Sequence, residues 1–377
     1  MTVYLDCNAT TPLEPEVREA VMLYLSEEYG NAGSRTHEMG ARAKKAVENA
    51  RRSVAAVVDA SADEVIFTSG ATESNNLAIL GLNADGSGAE TPHIVTTAIE
   101  HKAVLEPVDA LKAKGYEVTV IAPGPDGQVS PEKVLNAVRD ETVLVSVMHA
   151  NNETGVLQPI EEIAAGLPSA GWPILHVDAA QTFGKELTAL RSKRIDLMSI
   201  SGHKLYAPKG IGALIARKRD GKRSPLRPLT YGGGQELGLR PGTLPVHLIA
   251  GLGMASDIAV RDLEKRRQRC LEIRERALEA LGPLGIQHNG HPENTQPHVL
   301  NISVPGVDSE AAMLAWKGLV EVSNGSACTS NSYEPSHVLQ AMDLDEDQVE
   351  GAIRLSWCHM TPAVEWGELT KQLRTFL

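Results

Sequence analysis

The segment SISGHKLYAPKGIGALIA, residues 199–216, places Lys204 directly after an apolar run with the composition of a buried strand. Lysine is normally a surface residue, so a lysine at the end of a buried strand needs a physical reason. Burial disfavours the charged ammonium form of an amine and makes the neutral amine available as a nucleophile. The segment therefore predicts a reactive lysine at a strand end.

Short apolar runs that alternate with helical segments surround this stretch. The runs are rich in Val, Ile and Leu without strict alternation, which is typical of strands covered on both faces in a mostly parallel sheet. Residues 37–58 carry apolar side chains at three- and four-residue spacing, and residues 130–140 begin with the helix-start pair Ser130 and Pro131. The βαβ alternation predicts an α/β domain. The predicted strands lie within residues 64–70, 93–100, 117–123, 142–150, 173–180 and 196–202.

The length of the chain and a change of pattern predict two domains. A chain of 377 residues is too long for one typical core. Residues 245–283 read as one long helix or two abutting helices, and shorter strand and helix candidates follow them. We expect a large α/β domain at 15–260, and a small α+β domain at 1–14 and 261–377.

Composition excludes several classes of function. The formal net charge of −12 has the wrong sign for a nucleic-acid-binding surface. No apolar run approaches the roughly 18 residues of a membrane helix, and the first residues lack the pattern of a secretory signal. The cysteines form no CxxC pair and are too few for a disulfide framework, so we expect a reducing, cytoplasmic location. These cysteines are Cys7, Cys270, Cys328 and Cys358.

One basic stretch stands out at residues 216–227, with the sequence ARKRDGKRSPLR. Its Gly and Pro favour a solvated loop with turns. The alternative is a docking patch for an acidic partner protein.

Polar side chains follow several of the predicted strands, where ligands gather in open α/β sheets. Residues 68–76, TSGATESNN, leave a strand and open a helix, which favours an anion site or a simple helix cap. His101 follows the next strand, and the pair Asn151 and Asn152 follows another, where such a pair usually marks a turn. A lone histidine is more often structural than catalytic.

Asp178 ends a strongly apolar strand, where a carboxylate is costly unless it is paired. It either caps the next helix or supplies a fixed negative charge to a protonated ring nitrogen. Lys204 follows one strand later. A Schiff-base lysine with an aspartate for the pyridinium nitrogen is the pairing expected of a pyridoxal phosphate enzyme.

The chain resembles the cysteine desulfurases, in the class V branch of the fold-type-I pyridoxal phosphate enzymes. The resemblance runs nearly end to end. It implies a mostly parallel seven-stranded sheet in the large domain, the cofactor pyridoxal 5'-phosphate and a homodimer. It is carried by YLDCNATTP, GNAGSRTHEMG, FTSGATESNN, IEHKAV, SVMHANNETGVLQPI, HVDAAQTFGK, SISGHKLYAPKGIGAL, GGGQELGLRPGTLPVHLIAG and GSACTSNSYEPSHVL.

The resemblance also implies roles for individual residues. Lys204 would carry the cofactor, Asp178 would pair with its ring nitrogen, and Gln181 would hydrogen-bond its ring oxygen. His101 would stack on the ring and move protons. The phosphate would be held by Ala71, Thr72, Ser201 and His203, with Thr243 from the second subunit. The substrate carboxylate would be held by Asn152 and Arg354, with Asn31 assisting.

Cys328 lies in residues 323–336, SNGSACTSNSYEPS, a composition that suits a mobile loop. In isolation it would read as an unreactive loop cysteine. The resemblance implies that its thiolate takes sulfur from L-cysteine, leaving L-alanine, and passes the resulting persulfide to an acceptor protein. Such enzymes serve iron–sulfur assembly, tRNA thiolation or DNA phosphorothioation.

Other activities share parts of this pattern. A selenocysteine lyase can carry the same loop, whereas a class V transaminase needs no loop cysteine. A scaffold protein that has lost catalysis would be expected to have lost at least one of the residues named above.

Two departures from the family pattern suggest a specialised member. Residues 357–362, WCHMTP, stand where the housekeeping members carry a Gly-Arg-Phe-Thr-like turn, which brings Cys358 near the expected substrate mouth. The simplest interpretation of Cys358 is a packed small hydrophobe. Pro241 replaces the small polar residue that is usual in the RxGT turn. Both departures bear on substrate access and on the delivery partner.

Overall fold

The computed structural model describes residues 2–291, 293–324 and 335–377, in which the elements below are numbered in chain order. The strands are β1 Val3–Tyr4, β2 Val65–Thr68, β3 His93–Thr97, β4 Glu117–Ile121, β5 Thr142–Met148, β6 Ile174–Asp178, β7 Leu197–Ser201, β8 Gly212–Ala216, β9 Lys218–Arg219, β10 Lys222–Arg223, β11 Gln287–His288, β12 Val299–Ser303, β13 Val320–Glu321 and β14 Ala352–Ser356. The helices are α1 Pro15–Ser26, α2 Glu38–Val57, α3 Ala71–Leu80, α4 Lys102–Lys112, α5 Pro131–Asn136, α6 Ile160–Gly166, α7 Val246–Arg261, α8 Leu263–Leu281, α9 Ser309–Ala315, α10 His337–Ala341, α11 Glu346–Glu350 and α12 Trp366–Leu373.

Seven strands form the main sheet, in the order β2-β8-β7-β6-β5-β3-β4. Strands β3 to β7 pair in parallel, whereas β8 runs antiparallel to both β2 and β7. The predicted α/β class with a mostly parallel seven-stranded sheet is confirmed. All six predicted strands are present. Five are buried along their whole length, which explains the lack of alternation in the sequence, whereas β4 at the edge of the sheet is only partly buried.

Strand β8 was not among the predicted strands, although it lies in the segment 199–216. It inserts between β2 and β7 and places Gly212 against Gly70. A Cβ at Gly212 would lie 2.6 Å from the Gly70 Cα, so only glycine fits this approach. The insertion fixes the start of α3 beside the end of β7.

The long helical stretch is two helices, α7 and α8, which meet at Asp262. The helix predicted at 130–140 begins as expected, with Pro131 in its first turn and the Ser130 hydroxyl accepting a hydrogen bond from the Lys133 N–H at 3.2 Å.

Two of the large apolar clusters bear on the predicted division into domains. One joins the main sheet to α2 and α7, and it includes Val338 and Met342 from the later part of the chain. The other joins β12 and β14 to α8 and α12, and Leu5 packs into it. Residues on both sides of position 260 therefore contribute to the first cluster, and the division at 260 stays a prediction.

The basic stretch 216–227 forms the β9–β10 hairpin and the chain that follows it. Lys218 and Arg223 both pair with Asp63, and Arg227 pairs with Asp85 at 2.5 Å. Because these charges have partners within the fold, the contacts favour the solvated-loop interpretation. Among the described residues, no helix is long and apolar enough to cross a membrane.

Candidate active site

A cavity of about 520 Å³ lies at the carboxyl ends of the parallel strands, where the topology of the sheet opens a crevice. It gathers side chains that are far apart in the sequence. Ten of the predicted site residues line it: Ala71, Thr72, His101, Asn152, Asp178, Gln181, Ser201, His203, Lys204 and Arg354.

Lys204 ends the short 3₁₀ turn that follows β7. Its Nζ donates hydrogen bonds to the Asn8 carbonyl oxygen and, at 2.8 Å, to the Ala9 carbonyl oxygen. Two residues later, Tyr206 has a φ of +63°, a left-handed conformation that is uncommon for a non-glycine residue and that often marks functional sites. Its N–H donates to the Thr11 Oγ1 at 3.0 Å. The segment around residues 8–11 thus holds the lysine turn in place.

Asp178 is buried at the carboxyl end of β6. Its Oδ1 accepts from the Ala180 N–H at 2.9 Å, as a cap of the following turn does. Its Oδ2 accepts from the Asn75 Nδ2 at 2.7 Å. Capping and a fixed negative charge are therefore compatible here, because each oxygen has its own donor and the carboxylate still lines the cavity.

His101 follows β3 and caps α4 with its ring, since Nδ1 accepts from the Ala103 N–H at 3.0 Å. In the neutral ring the proton then belongs to Nε2. Burial lowers the pKa of His101, with Lys204 acting in the same direction and Asp178 against it. The geometry favours a neutral imidazole that presents an N–H donor.

The residue before it, Glu100, is fully buried behind the cavity. Its Oε1 accepts from the Thr97 hydroxyl at 2.7 Å and from the Met148 N–H at 2.8 Å. Burial raises the pKa of Glu100 to about 8. This carboxyl is therefore neutral at pH 7 and adds no charge next to His101.

The start of α3 forms one end of the cavity. Gly70, with a φ of +155°, turns the chain from β2 into the helix, whose first residues are Ala71 and Thr72. The side chains of Ser201 and His203 face the same cavity. Burial, together with the Lys204 charge, lowers the pKa of His203 to about 4. A helix start with free N–H groups and hydroxyls suits a phosphate.

Arg354, on β14, is nearly inaccessible to solvent yet lines the opposite part of the cavity. Its Nη2 donates to the Asp6 Oδ1 at 2.6 Å, and its Nη1 donates to the Asn152 carbonyl oxygen at 3.1 Å. The neighbouring Asn151 is structural, because its Oδ1 accepts from two backbone N–H groups of the following turn. Asn151 therefore forms the predicted turn, whereas Asn152 is the residue of the pair that lines the cavity.

Two predicted site residues lie away from this cavity, and a third cannot be placed in the described part of the chain. Asn31 is exposed, and its Oδ1 accepts from the Gly33 N–H at 2.8 Å. Thr243 is also exposed and does not line the cavity. Cys328 lies outside the described residues. Their roles stay predictions.

Sequence reasoning missed three residues that organise the site: Asp6, Asn8 and Asn75. Asn75 lies one turn after Ala71 on α3 and so shares its face, which was a usable signal. The contacts of Asp6 and Asn8 are to residues hundreds of positions away, for which a single sequence carries no signal.

Comparison with known proteins places these observations in a family. The aminotransferase class-V model matches residues 3–365. Cysteine desulfurase IscS from Vibrio vulnificus is 43% identical over 377 residues, which covers 99% of this chain and 92% of that protein. The chain belongs to the cysteine desulfurases of the class-V aminotransferase family. A solved NifS-like protein is 36% identical with a TM-score of 0.90 over 100% of both chains. DndA from Streptomyces lividans is 47% identical with a TM-score of 0.81, over 96% of this chain and 100% of that one.

Members of this family depend on pyridoxal 5'-phosphate, and the cavity of this desulfurase fits that cofactor. Within the described part of the chain, three buried amide oxygens on the cavity wall have no hydrogen-bond partner, although buried polar atoms are normally paired. They are the side-chain oxygens of Asn8, Asn75 and Gln181. The same cavity holds an amine at Lys204 and a buried carboxylate at Asp178. A polar ligand with a basic ring nitrogen, an aldehyde and a phosphate matches this donor set.

Proposed function

We propose that this chain converts L-cysteine to L-alanine with pyridoxal 5'-phosphate and transfers the sulfur to Cys328 as a persulfide. The observation that carries the proposal is that Lys204, Asp178 and Arg354 line one cavity. An amine, a fixed carboxylate and a guanidinium are the groups that an amino-acid substrate and this cofactor require.

The cofactor would be held at both ends of the cavity. Lys204 would bind it covalently and Asp178 would face its ring nitrogen. Gln181 and His101 would contact the ring, and Thr72 and the start of α3 would receive the phosphate. When bound, the ring acts as an electron sink that makes the Cα–H bond of the substrate acidic.

Arg354 orients the substrate. Its planar guanidinium suits a bidentate contact with the substrate carboxylate. The bond to Asp6 fixes the plane of that guanidinium before substrate arrives, and the Asn152 carbonyl oxygen holds its other nitrogen. A held arginine loses less conformational entropy on binding than a free one.

Proton transfers fall to two side chains. Once its covalent bond is exchanged for the substrate, the Lys204 amine takes the Cα proton. The carbonyl oxygens of Asn8 and Ala9 keep that amine at the cavity wall. His101 offers its Nε2–H as a proton donor, since its Nδ1 is engaged by the backbone.

Sulfur transfer falls to Cys328. Its thiolate attacks the substrate sulfur and the C–S electron pair passes to the carbon skeleton, while the sulfur stays on Cys328 as a persulfide. A proton delivered to Cβ and the return of a proton from Lys204 to Cα complete L-alanine. The described chain that follows the cysteine segment is anchored beside the site. The Ser336 hydroxyl donates to Glu153 Oε2 at 2.5 Å, and the His337 ring contacts the Glu100 carbonyl oxygen at 3.1 Å.

A selenocysteine lyase would use the same lysine, aspartate and arginine, so relative rates on cysteine and selenocysteine separate the two activities. A class V transaminase would work without Cys328.

We further propose a cytoplasmic homodimer that delivers its sulfur to a partner protein, for iron–sulfur assembly, tRNA thiolation or DNA phosphorothioation. The exposed position of Thr243 supports a role towards a second subunit rather than its own cavity. Exposed apolar side chains support a covered face, among them Met22 and Leu25 on α1 and Tyr29 three residues after that helix.

The test measures alanine and sulfide from L-cysteine with the purified holoenzyme. We expect both products in equal amounts from the wild type in the presence of a thiol reductant. Cys328→Ala should keep the cofactor absorbance and lose persulfide formation, whereas Cys270→Ala should retain both. Equal activity of Cys328→Ala and wild type would refute the desulfurase mechanism in favour of a transaminase or lyase.

A further inference from the structure

A second cavity of about 330 Å³ lies on the other side of the segment that holds Lys204. It is lined by two cysteines, Cys7 and Cys358, which are 2% and 1% exposed. The two cysteines pack together with Tyr206 in one buried cluster. The cavity volume is several times the roughly 30 Å³ of one water molecule, so a small solute has room beside both sulfurs. Its remaining lining is Tyr4, Thr10, Thr11, Pro12, Met360, Thr361 and Pro362.

The two thiols are not equivalent. The Cys358 sulfur accepts a hydrogen bond from the Thr361 hydroxyl at 3.7 Å, and the Cys358 N–H donates to the Thr361 Oγ1 at 2.9 Å. The contact between the two thiols lowers the pKa of Cys358, whereas the same contact and burial raise the pKa of Cys7. Cys358 is therefore the nucleophile of the pair and Cys7 the proton donor.

A cation stands near this thiolate. The Lys185 Nζ lies 5.8 Å from the centre of the Tyr206 ring, which packs against both cysteines, and 3.3 Å from the His298 Nε2. Burial lowers the pKa of Lys185 to about 8, and the neighbouring thiols oppose that shift. The thiol cluster and the lysine therefore stabilise each other's charged forms.

The thiol pair is also mechanically connected to the active site. The Cys7 N–H donates to the Ser356 carbonyl oxygen at 3.0 Å, and the Asn8 N–H donates to the Ser356 hydroxyl at 2.9 Å. The carbonyl oxygen of Asn8 accepts from Lys204 and, at 3.2 Å, from the Gln181 Nε2. A displacement of Cys7 therefore moves the adjacent Asn8, whose carbonyl oxygen holds Lys204 and Gln181, two residues assigned to the cofactor.

We propose that Cys7 and Cys358 are an oxidative modification site, a dithiol that a small hydroperoxide converts reversibly into a disulfide and that alters the setting of Lys204 when it is oxidised. This site is separate from sulfur transfer by Cys328. It explains why a thiol occupies position 358 in the WCHMTP departure from the family pattern.

The chemistry balances without further reactants. The Cys358 thiolate attacks one oxygen of the hydroperoxide, the O–O bond breaks, and a sulfenic acid forms on Cys358 while the other oxygen leaves as water or an alcohol. The Cys7 sulfur then attacks the Cys358 sulfur, the S–O bond breaks, and water leaves with the Cys7 proton. Two thiols lose two electrons, and the peroxide gains them.

The test uses the Cys328→Ala holoenzyme, so that the loop cysteine cannot take part. The protein is treated with stoichiometric hydrogen peroxide, and intact mass and non-reduced peptides are measured. We expect a loss of two hydrogen atoms and a peptide that links Cys7 to Cys358. The absorbance of the lysine-bound cofactor should shift with linkage and return after reduction with dithiothreitol.

Two variants on this background sharpen the result. Adding Cys7→Ser or Cys358→Ser should abolish both linkage and the reversible absorbance shift. Adding Cys270→Ser should change neither, because Cys270 is buried and does not line the cavity. Free thiols at both positions after treatment, or a link that involves Cys270, would overturn the site. A Cys7–Cys358 link with an unchanged cofactor spectrum would overturn the connection to Lys204. None of these readouts depends on desulfurase activity, so this inference and the proposed function can fail independently.

Discussion

Two cavities share one wall, the segment at residues 7–9, and they are built in different ways. The larger one lies at the carboxyl ends of parallel strands and collects Lys204, Asp178 and Arg354. The smaller one lies between residues 4–12 and residues 358–362, and it presents thiols, hydroxyls and apolar groups. In the first, the topology of the sheet positions charge, whereas in the second, two distant chain segments bring sulfur atoms together.

The difference teaches how to tell a ligand site from a packed interior. In the larger cavity Lys204, Asp178 and Arg354 have partners, but amide oxygens of Asn8, Asn75 and Gln181 have none among the described residues. In the smaller cavity the two sulfurs pack together, and the Thr361 hydroxyl donates to Cys358. The first arrangement is completed by a polar ligand, and the second is altered by a change of oxidation state.

The largest expected effect is a loss of activity from a substitution in the larger cavity alone. Lys204→Ala removes the amine that binds the cofactor and takes the Cα proton, so we expect kcat/KM for L-cysteine to fall by at least about 10³-fold. The characteristic absorbance of the lysine-bound cofactor should vanish. Lys44→Ala, on the exposed face of α2, is the matched control and should leave both unchanged. Substantial activity in Lys204→Ala would contradict the assignment.

Two variants then separate the charge of the Asp178 carboxylate from its positioning by Asn75. Asp178→Asn removes the carboxylate that faces the cofactor ring, and we expect kcat to fall by about 10²-fold. Asn75→Ala removes only the donor to the Asp178 Oδ2, and we expect a loss of about tenfold. Steady-state kinetics at saturating cofactor measure both. A larger loss for Asn75→Ala than for Asp178→Asn would reverse the proposed order of roles.

The protonation state of the buried Glu100 carboxyl is tested by the pH dependence of the free energy of unfolding. Glu100 has a folded-state pKa of about 8, above its unfolded value near 4.3, so it stays protonated when folded and ionises when unfolded across that range. Native stability therefore falls as pH rises from about 4.5 to 8, and Glu100→Gln removes this dependence. In urea unfolding, we expect the variant to gain about 1–3 kcal/mol relative to wild type between pH 5 and pH 8.

Glu117→Gln is the control for that series, because Glu117 is exposed and its contact with Arg139 lowers its pKa instead. It should show no such gain at high pH. A stability difference between Glu100→Gln and wild type that is the same at both pH values would show that Glu100 ionises normally in the folded protein.

The smallest expected effect is a shift in the pH dependence of thiol reactivity in the smaller cavity. The rate of alkylation of Cys358 by iodoacetamide should rise with pH and reach its midpoint below the roughly 8.5 of an ordinary thiol, because the pKa of Cys358 is lowered. Cys7→Ala removes the S–H donor, so the midpoint should move up by about one pH unit. Peptide mass spectrometry on the Cys328→Ala background reports the labelled residue. An unchanged midpoint in Cys7→Ala would show that the thiol contact does not set the pKa.

Much of the first cavity could be predicted from the sequence, and little of the second. Lys204, Asp178 and His101 directly follow apolar runs, and a parallel sheet brings such positions to one edge. Strand β8 was missed because its run is short and lies within the same segment as the lysine. Cys358 was interpreted as a packed hydrophobe, which agrees with its burial. Its contact with Cys7 spans almost the whole chain, and local pattern cannot encode such a contact.

The partners of Lys204 and Arg354 come from residues 6–9, whereas Arg354 and Ser356 lie some 348 positions later, as the Asn8–Ser356 bond shows. During synthesis on the ribosome, residues 6–9 emerge long before Arg354 and Ser356 and remain without these two partners until β14 has emerged. A nascent chain that ends before β14 lacks both the guanidinium that meets the substrate and the strand that supports Asn8. The order of translation therefore delays the completed lysine site until β14 has been made.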